Sequence, residues 1–315
     1  MILALAMIAG GLLALYGGAH ALIQGASALA RRWGMSPLVV GLTVVAGGTS
    51  SPELFVVTSA ALEGRDGISL GNILGANSLN IGLILGLTAL VRPLHAQLQL
   101  IRFDVPIMIL ATLVVAAFLA DGDLGRVKGA VLIAALAGYL AFTVVMARRE
   151  RSERVREEFA AQIPGPRASL AGDLGMIVLG LAALALGAQG LISGAVAVAG
   201  AMGVRDSVIG ITVVAAGTTM PELVTCLVAA LKREADIAIG NIVGSNIFNL
   251  LGVLGLAGVL APISAAGVMP AEVWGAVVLA ALSLPVMWRG MIVNRAEGAL
   301  LAAAYLVYLA IIWCG

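Results

Sequence analysis

Charge is scarce in this chain: Asp, Glu, Lys and Arg make up 11% of its 315 residues, against roughly 25% in soluble domains. Histidine occurs only as His20 and His95. No H-E-x-x-H can therefore be formed, and no acid has an obvious His partner, so no enzyme is expected. The two cysteines, Cys226 and Cys314, stand alone inside apolar runs, which excludes a disulfide framework or a paired-thiol zinc site. No run of basic residues interleaved with aromatics suggests nucleic acid, and the net charge is +1.

What is abundant is apolar surface, with 61% hydrophobic residues and a mean hydropathy of +1.08. A soluble fold could not bury that share. A helix needs roughly 20 apolar residues to cross the hydrocarbon layer, and ten runs of suitable length occur. They lie near 3–29, 37–62, 68–91, 103–120, 127–147, 173–199, 206–231, 237–259, 270–288 and 296–314. The first has Ala19-His20-Ala21 near its end but no basic residue before it, so it reads as a span rather than a cleaved leader. The odd-numbered loops carry Arg31, Arg32, Arg92, Arg102, the six arginines of 148–167, Lys232, Arg233, Arg289 and Arg295. The even-numbered loops carry only Arg65, Arg126, Lys128 and Arg205. The positive-inside rule then places both termini outside the cytoplasmic membrane.

The chain also repeats itself. GLTVVAGGTSSPEL at 41–54 returns as GITVVAAGTTMPEL at 210–223, and a constant offset of 169 links Glu53 to Glu222, Asn72 to Asn241 and Asn80 to Asn249. Five spans per copy is an odd number, so the second copy enters the bilayer from the opposite side and the repeats are inverted. The expected architecture is all-α, ten transmembrane helices in two five-helix repeats. Residues 1–147 form the first, with its motif at 39–87; residues 173–315 form the second, with its motif at 208–256. The arginine- and glutamate-rich segment 148–172 reads as a cytoplasmic linker.

Glu53 and Glu222 lie near the middle of the second and seventh runs. An ionised carboxylate at that depth costs about 2.5–3.5 kcal/mol or more, and no Arg or Lys lies at comparable depth to neutralise it, so a functional role is expected. Pro52 and Pro221 break the helix beside each acid and release a carbonyl four residues back. Thr49 and Thr218 stand four residues before their Glu, Ser50 and Thr219 three, and these hydroxyls can share its face. The partner segments GNILGANSLN (71–80) and GNIVGSNIFN (240–249) place Asn72, Ala76 and Asn80 on one helical stripe and Asn241, Ser245 and Asn249 on the other. Two carboxylates with neutral oxygens suit a hard divalent cation such as Ca2+, and the absence of His and Cys ligands argues against zinc or copper.

GTSSPE followed by GNILGANSLN, and GTTMPE followed by GNIVGSNIFN, resemble the two alpha-repeats of the calcium:cation antiporter superfamily, most of all the prokaryotic sodium/calcium exchangers. The resemblance implies ten helices, four of them around the site, with the first and sixth sliding across them. It implies that Glu53 and Glu222 are ligands shared by Ca2+ and Na+. Hydroxyls of Thr49, Ser50, Thr218, Thr219 and Ser245 and main-chain carbonyls of Ala46 and Ala215 would complete the set. Ala76 stands where the family usually has Ser, and Asn249 where many members carry Asp. The expected function is Ca2+/Na+ antiport by alternating access, with proton-coupled divalent exchange as the alternative. The partners are the two ions and the bilayer; no cofactor and no obligatory protein partner are expected.

Overall fold

The computed structural model describes residues 2–149, 169–202, 215–266 and 268–314. They are almost wholly helical, as lipid requires when no water can satisfy an open backbone. In chain order the helices are α1 (Ile2–Trp33), α2 (Pro37–Thr49), α3 (Ser51–Leu62), α4 (Asp66–Val91), α5 (Leu100–Ala120) and α6 (Arg126–Arg149). The second half gives α7 (Leu170–Ala201), α8 (Ala215–Thr218), α9 (Met220–Leu231), α10 (Ala235–Leu260), α11 (Pro270–Trp288) and α12 (Arg295–Cys314). Among the described residues, eight helices are long and apolar enough to span, and α2 with α3, bent by 45°, makes a ninth. Of the seventh expected span only α8 and α9 are described, and the arginine-rich part of the expected linker, 150–168, lies outside the described residues.

Packing orders the helices into a core and a shell. In α4 and α10, 72% and 78% of the most apolar stretch is buried, against 22% in α6 and α12 and 28% in α1 and α7. The two central helices are those that carry the Asn-rich motifs. α1 and α7 run antiparallel in backbone contact. Gly11, Gly18 and Gly25 recur every seven residues, as do their offset partners Gly180, Gly187 and Gly194. A Cβ on Gly11 would fall 2.7 Å from Gly187 O, one on Gly18 2.8 Å from Gly180 O, and one on Gly194 2.6 Å from Ala4 O. Small residues bring helices together where lipid gives no hydrophobic drive. At one end of this pair Arg32 Nε binds Asp173 Oδ2 at 2.9 Å, with the aspartate fully buried.

The inverted symmetry shows directly in the pairing of four two-residue strands. β1 (Leu94–His95) pairs antiparallel with β4 (Ile292–Val293), and β2 (Asp123–Leu124) with β3 (Ile263–Ser264). Adding 169 to β1 gives β3 and adding it to β2 gives β4, so each ladder is the image of the other.

Candidate cation site

The acidic helices are broken in a particular way. Ser50 (φ −78°, ψ 6°) and Thr219 (φ −91°, ψ 4°) leave helical geometry, and a new helix starts after each. Pro52 and Pro221 thus occupy the first turn of α3 and α9 rather than a mid-helix kink, where a missing N–H is no loss. Glu53 and Glu222 fall in the same first turns. The positive end of each helix dipole favours a carboxylate there, by about 0.3–1 kcal/mol and more when partly buried. Sequence reasoning located the break but misjudged its form, because a proline alone does not say on which side of it the helix restarts.

Both acids are shut away from solvent, with 0% and 1% exposure. Each interacts with the other repeat: Thr218 stands beside Glu53, and Thr49 and Ser50 beside Glu222, with the two carboxyls within electrostatic reach of one another. All four carboxyl oxygens are buried without a hydrogen-bond partner among the described residues. Among those residues there is also no cluster of three or more His, Cys, Asp or Glu.

The remaining candidates surround this pair. Thr49 Oγ1 donates to Asn241 Oδ1 at 3.0 Å, lies 3.4 Å from Ser245 Oγ and approaches Ala46 O at 3.3 Å. Ala46 O also accepts the Ser50 N–H at 3.0 Å, so this carbonyl is engaged by its own chain. Ser50, Thr218, Thr219, Asn80, Ser245 and Asn249 are all buried, and Asn72 is half-buried with its Oδ1 unpartnered among the described residues. Ala215 opens α8. A cavity of about 640 Å³ reaches the break from the α7 side, lined by Thr49, Pro52, Thr218 and Pro221 together with Leu181, Gln189 and Ile192.

Two residues were passed over in the sequence. Asn77 and Asn246 cross-link α4 to α10 at the centre, Asn77 Nδ2 donating to Asn246 O at 3.2 Å and Asn246 Nδ2 to Asn77 O at 3.4 Å. Their separation of 169 in sequence would have flagged them as a pair meeting on the symmetry axis. Each central helix also carries a π turn, Asn80–Ile84 in α4 and Phe248–Val253 in α10, the kind of irregularity that accompanies functional sites. Gly67-Ile68-Ser69-Leu70-Gly71 has the spacing of a hydrolase nucleophile elbow. It lies instead inside α4, where Ser69 is buried and donates to Val57 O at 3.1 Å.

Known proteins resemble the chain over nearly its whole length. The inner membrane protein YrbG of Escherichia coli K12 is 34% identical, over 99% of this chain and 98% of its own. The sodium/calcium exchanger MaX1 of Methanosarcina acetivorans is 30% identical over 96% of both chains. A solved structure of the sodium-calcium exchanger NCX_Mj, soaked with 10 mM Na+ and no Ca2+, superposes with a TM-score of 0.86 at 31% identity and covers 98% of each chain. The sodium/calcium exchanger protein family matches residues 3–145 and 173–314. This integral membrane protein, with one buried acid in each of its inverted repeats, belongs to that family.

Proposed function

We propose that the chain is a secondary active antiporter that exchanges Ca2+ for Na+ by alternating access, both ions sharing the site between Glu53 and Glu222. The observation that carries this reading is the set of four buried carboxyl oxygens, two from each repeat, with no protein donor committed to them among the described residues. Two such charges in a low-dielectric interior repel each other and lack solvation. An empty, closed site is therefore unfavourable, and the carrier passes through occlusion only when cations offset the charge. One Ca2+ offsets both carboxylates, and Na+ ions do the same in number. Exchange rather than leak follows.

Thr49, Ser50, Thr218, Thr219 and Ser245 supply hydroxyl oxygens around the acids, and Asn80 and Asn249 amide oxygens. Ala215 contributes a main-chain carbonyl, and the Ala46 carbonyl joins it on giving up the Ser50 N–H, with Asn72 and Asn241 in support. The cavity lies beside the break, lined on α7 from Leu181 to Ser193 and on α3 by Phe55 and Val56. α1 and α7, locked along their glycines, are the element that slides to close it.

The test is radiolabelled Ca2+ uptake into proteoliposomes of the purified chain. An outward-directed Na+ gradient at fixed pH should drive uptake, and a pH gradient without Na+ should not. The converse result assigns the exchange to protons and overturns the sodium coupling. Uptake that needs no counter-ion overturns antiport altogether.

A further inference from the structure

The four central asparagines divide into two kinds. Asn77 and Asn246 each give their Nδ2 to the other's main-chain carbonyl. A carbonyl only accepts, so these bonds decide which end of each amide is nitrogen, and the choice is not an arbitrary flip. The Oδ1 atoms of the same two residues are then fixed as acceptors. Asn246 Oδ1 receives Asn80 Nδ2 at 2.9 Å, and Asn77 Oδ1 receives Asn249 Nδ2 at 3.0 Å. With their nitrogens committed, Asn80 and Asn249 keep one atom each in reserve. Asn80 Oδ1 and Asn249 Oδ1 are buried and have no hydrogen-bond partner among the described residues. Both sit at π turns, that of Asn80 packed against α9 with Glu222 and that of Asn249 against α3 with Glu53.

We propose that Asn77 and Asn246 are positioning residues that hold the Asn80 and Asn249 amides with oxygen, and not NH2, presented to the transported cation. The inference rests on the cation-site reading above and adds a device to it. An amide with no such restraint offers either end, and its NH2 end repels a cation. Here the direction is set by two main-chain carbonyls, which no side-chain rotation can reverse. Each repeat orients the ligand of the other: Asn77 of the first fixes Asn249 of the second, and Asn246 fixes Asn80. A ring that merely glued α4 to α10 would stabilise the fold without any coupling to ion affinity.

The experiment is equilibrium binding of radiolabelled Ca2+ to the full chain in detergent, with the melting temperature in the absence of Ca2+ measured alongside. Asn77→Leu, Asn249→Ala and the double variant form one cycle; Asn246→Leu, Asn80→Ala and their double form its mirror. Each single substitution should weaken Ca2+ binding about tenfold, equivalent to about 1.4 kcal/mol. The double variant should bind within about twofold of the alanine variant alone, because the positioning residue acts only through its ligand. Losses that multiply in both cycles, or leucine variants that bind Ca2+ as wild type does, overturn the proposal. If Asn77→Leu does not accumulate as folded protein, the mirror cycle decides, and if neither leucine is tolerated, Ser replaces it in the same cycles. Glu53→Gln separates the two layers of the argument. Wild-type Ca2+ binding in that variant overturns the site reading itself, whereas lost binding together with multiplicative cycles overturns only the positioning role.

Discussion

The amide ring at the centre obeys the inverted symmetry bond for bond, whereas the hydroxyl layer next to it does not. Asn77 with Asn249 and Asn246 with Asn80 are images of each other, matched in partner and nearly in distance. Thr49, by contrast, meets Ser245 and Asn241, and the position equivalent to Ser245 is Ala76, which has no hydroxyl. The same contrast appears between the outer helices. The glycine contacts of α1 and α7 are symmetric, but the Arg32–Asp173 ion pair has alanines, Ala201 and Ala4, at its image positions. On the proposed reading, symmetry marks what both states of the carrier must keep. Asymmetry marks where one side, or one ion, can be treated differently from the other.

Substitutions at symmetric and asymmetric positions put that contrast to the test. The largest effect belongs to the symmetric acids: Glu53→Gln and Glu222→Gln should each reduce Ca2+ exchange in proteoliposomes to background. Full activity in either one would show that the two-fold does not extend to the chemistry. Next comes the symmetric seam. Gly18→Val must push apart the backbones of α1 and α7, because its Cβ alone would fall 2.8 Å from Gly180 O and 2.9 Å from Leu184 N. Overpacking of that kind costs about 1–3 kcal/mol, to be read as a lower melting temperature in detergent and slowed exchange.

Effects shrink at the asymmetric positions. Ser245→Ala removes a hydroxyl that has no counterpart in the other repeat and should weaken Na+-dependent exchange about tenfold, in keeping with about 1.5–3 kcal/mol for a contact to a charged group. Ala76→Ser restores the missing image and should raise the apparent affinity for Na+ a few-fold, scored by the Na+ dependence of Ca2+ efflux. No change in either would mean that this layer is not in contact with the ions. The smallest expectation concerns Asp173→Asn, which keeps the shape of the buried side chain while losing the charge opposite Arg32. It should lower the melting temperature by a few degrees, since the Asn still fills the buried site and Arg32, 28% exposed, regains water, and shift the balance between inward and outward exchange rates more than their sum.

Much of this organisation could be read from the residues alone. Spans, inversion and the paired acids followed from run length, an odd span count and an offset of 169, because these depend on bilayer thickness and duplication and not on side-chain detail. Local geometry did not follow. The restart of the helix at Ser50 and Thr219 depends on where main-chain hydrogen bonds resume, and the π turns after Asn77 and Asn246 carry no composition signal of their own. The amide ring was hidden for another reason. Asn77 and Asn246 lie off the stripe that holds Asn72 and Asn80, so a search along one helix face passed them by, although the repeat offset pairs them as surely as it pairs the acids.

The glycine seam between α1 and α7 also bears on how the protein comes to be assembled. Its two sides are separated by more than four helices of chain, and each side is a row of glycines with nothing of its own to fill the gap. The first half, emerging alone into the bilayer, presents an unfilled groove along α1 until α7 arrives, and long-range partners of this kind close late. Neither half is a finished unit that later docks. The seam itself exists only once the two halves have joined.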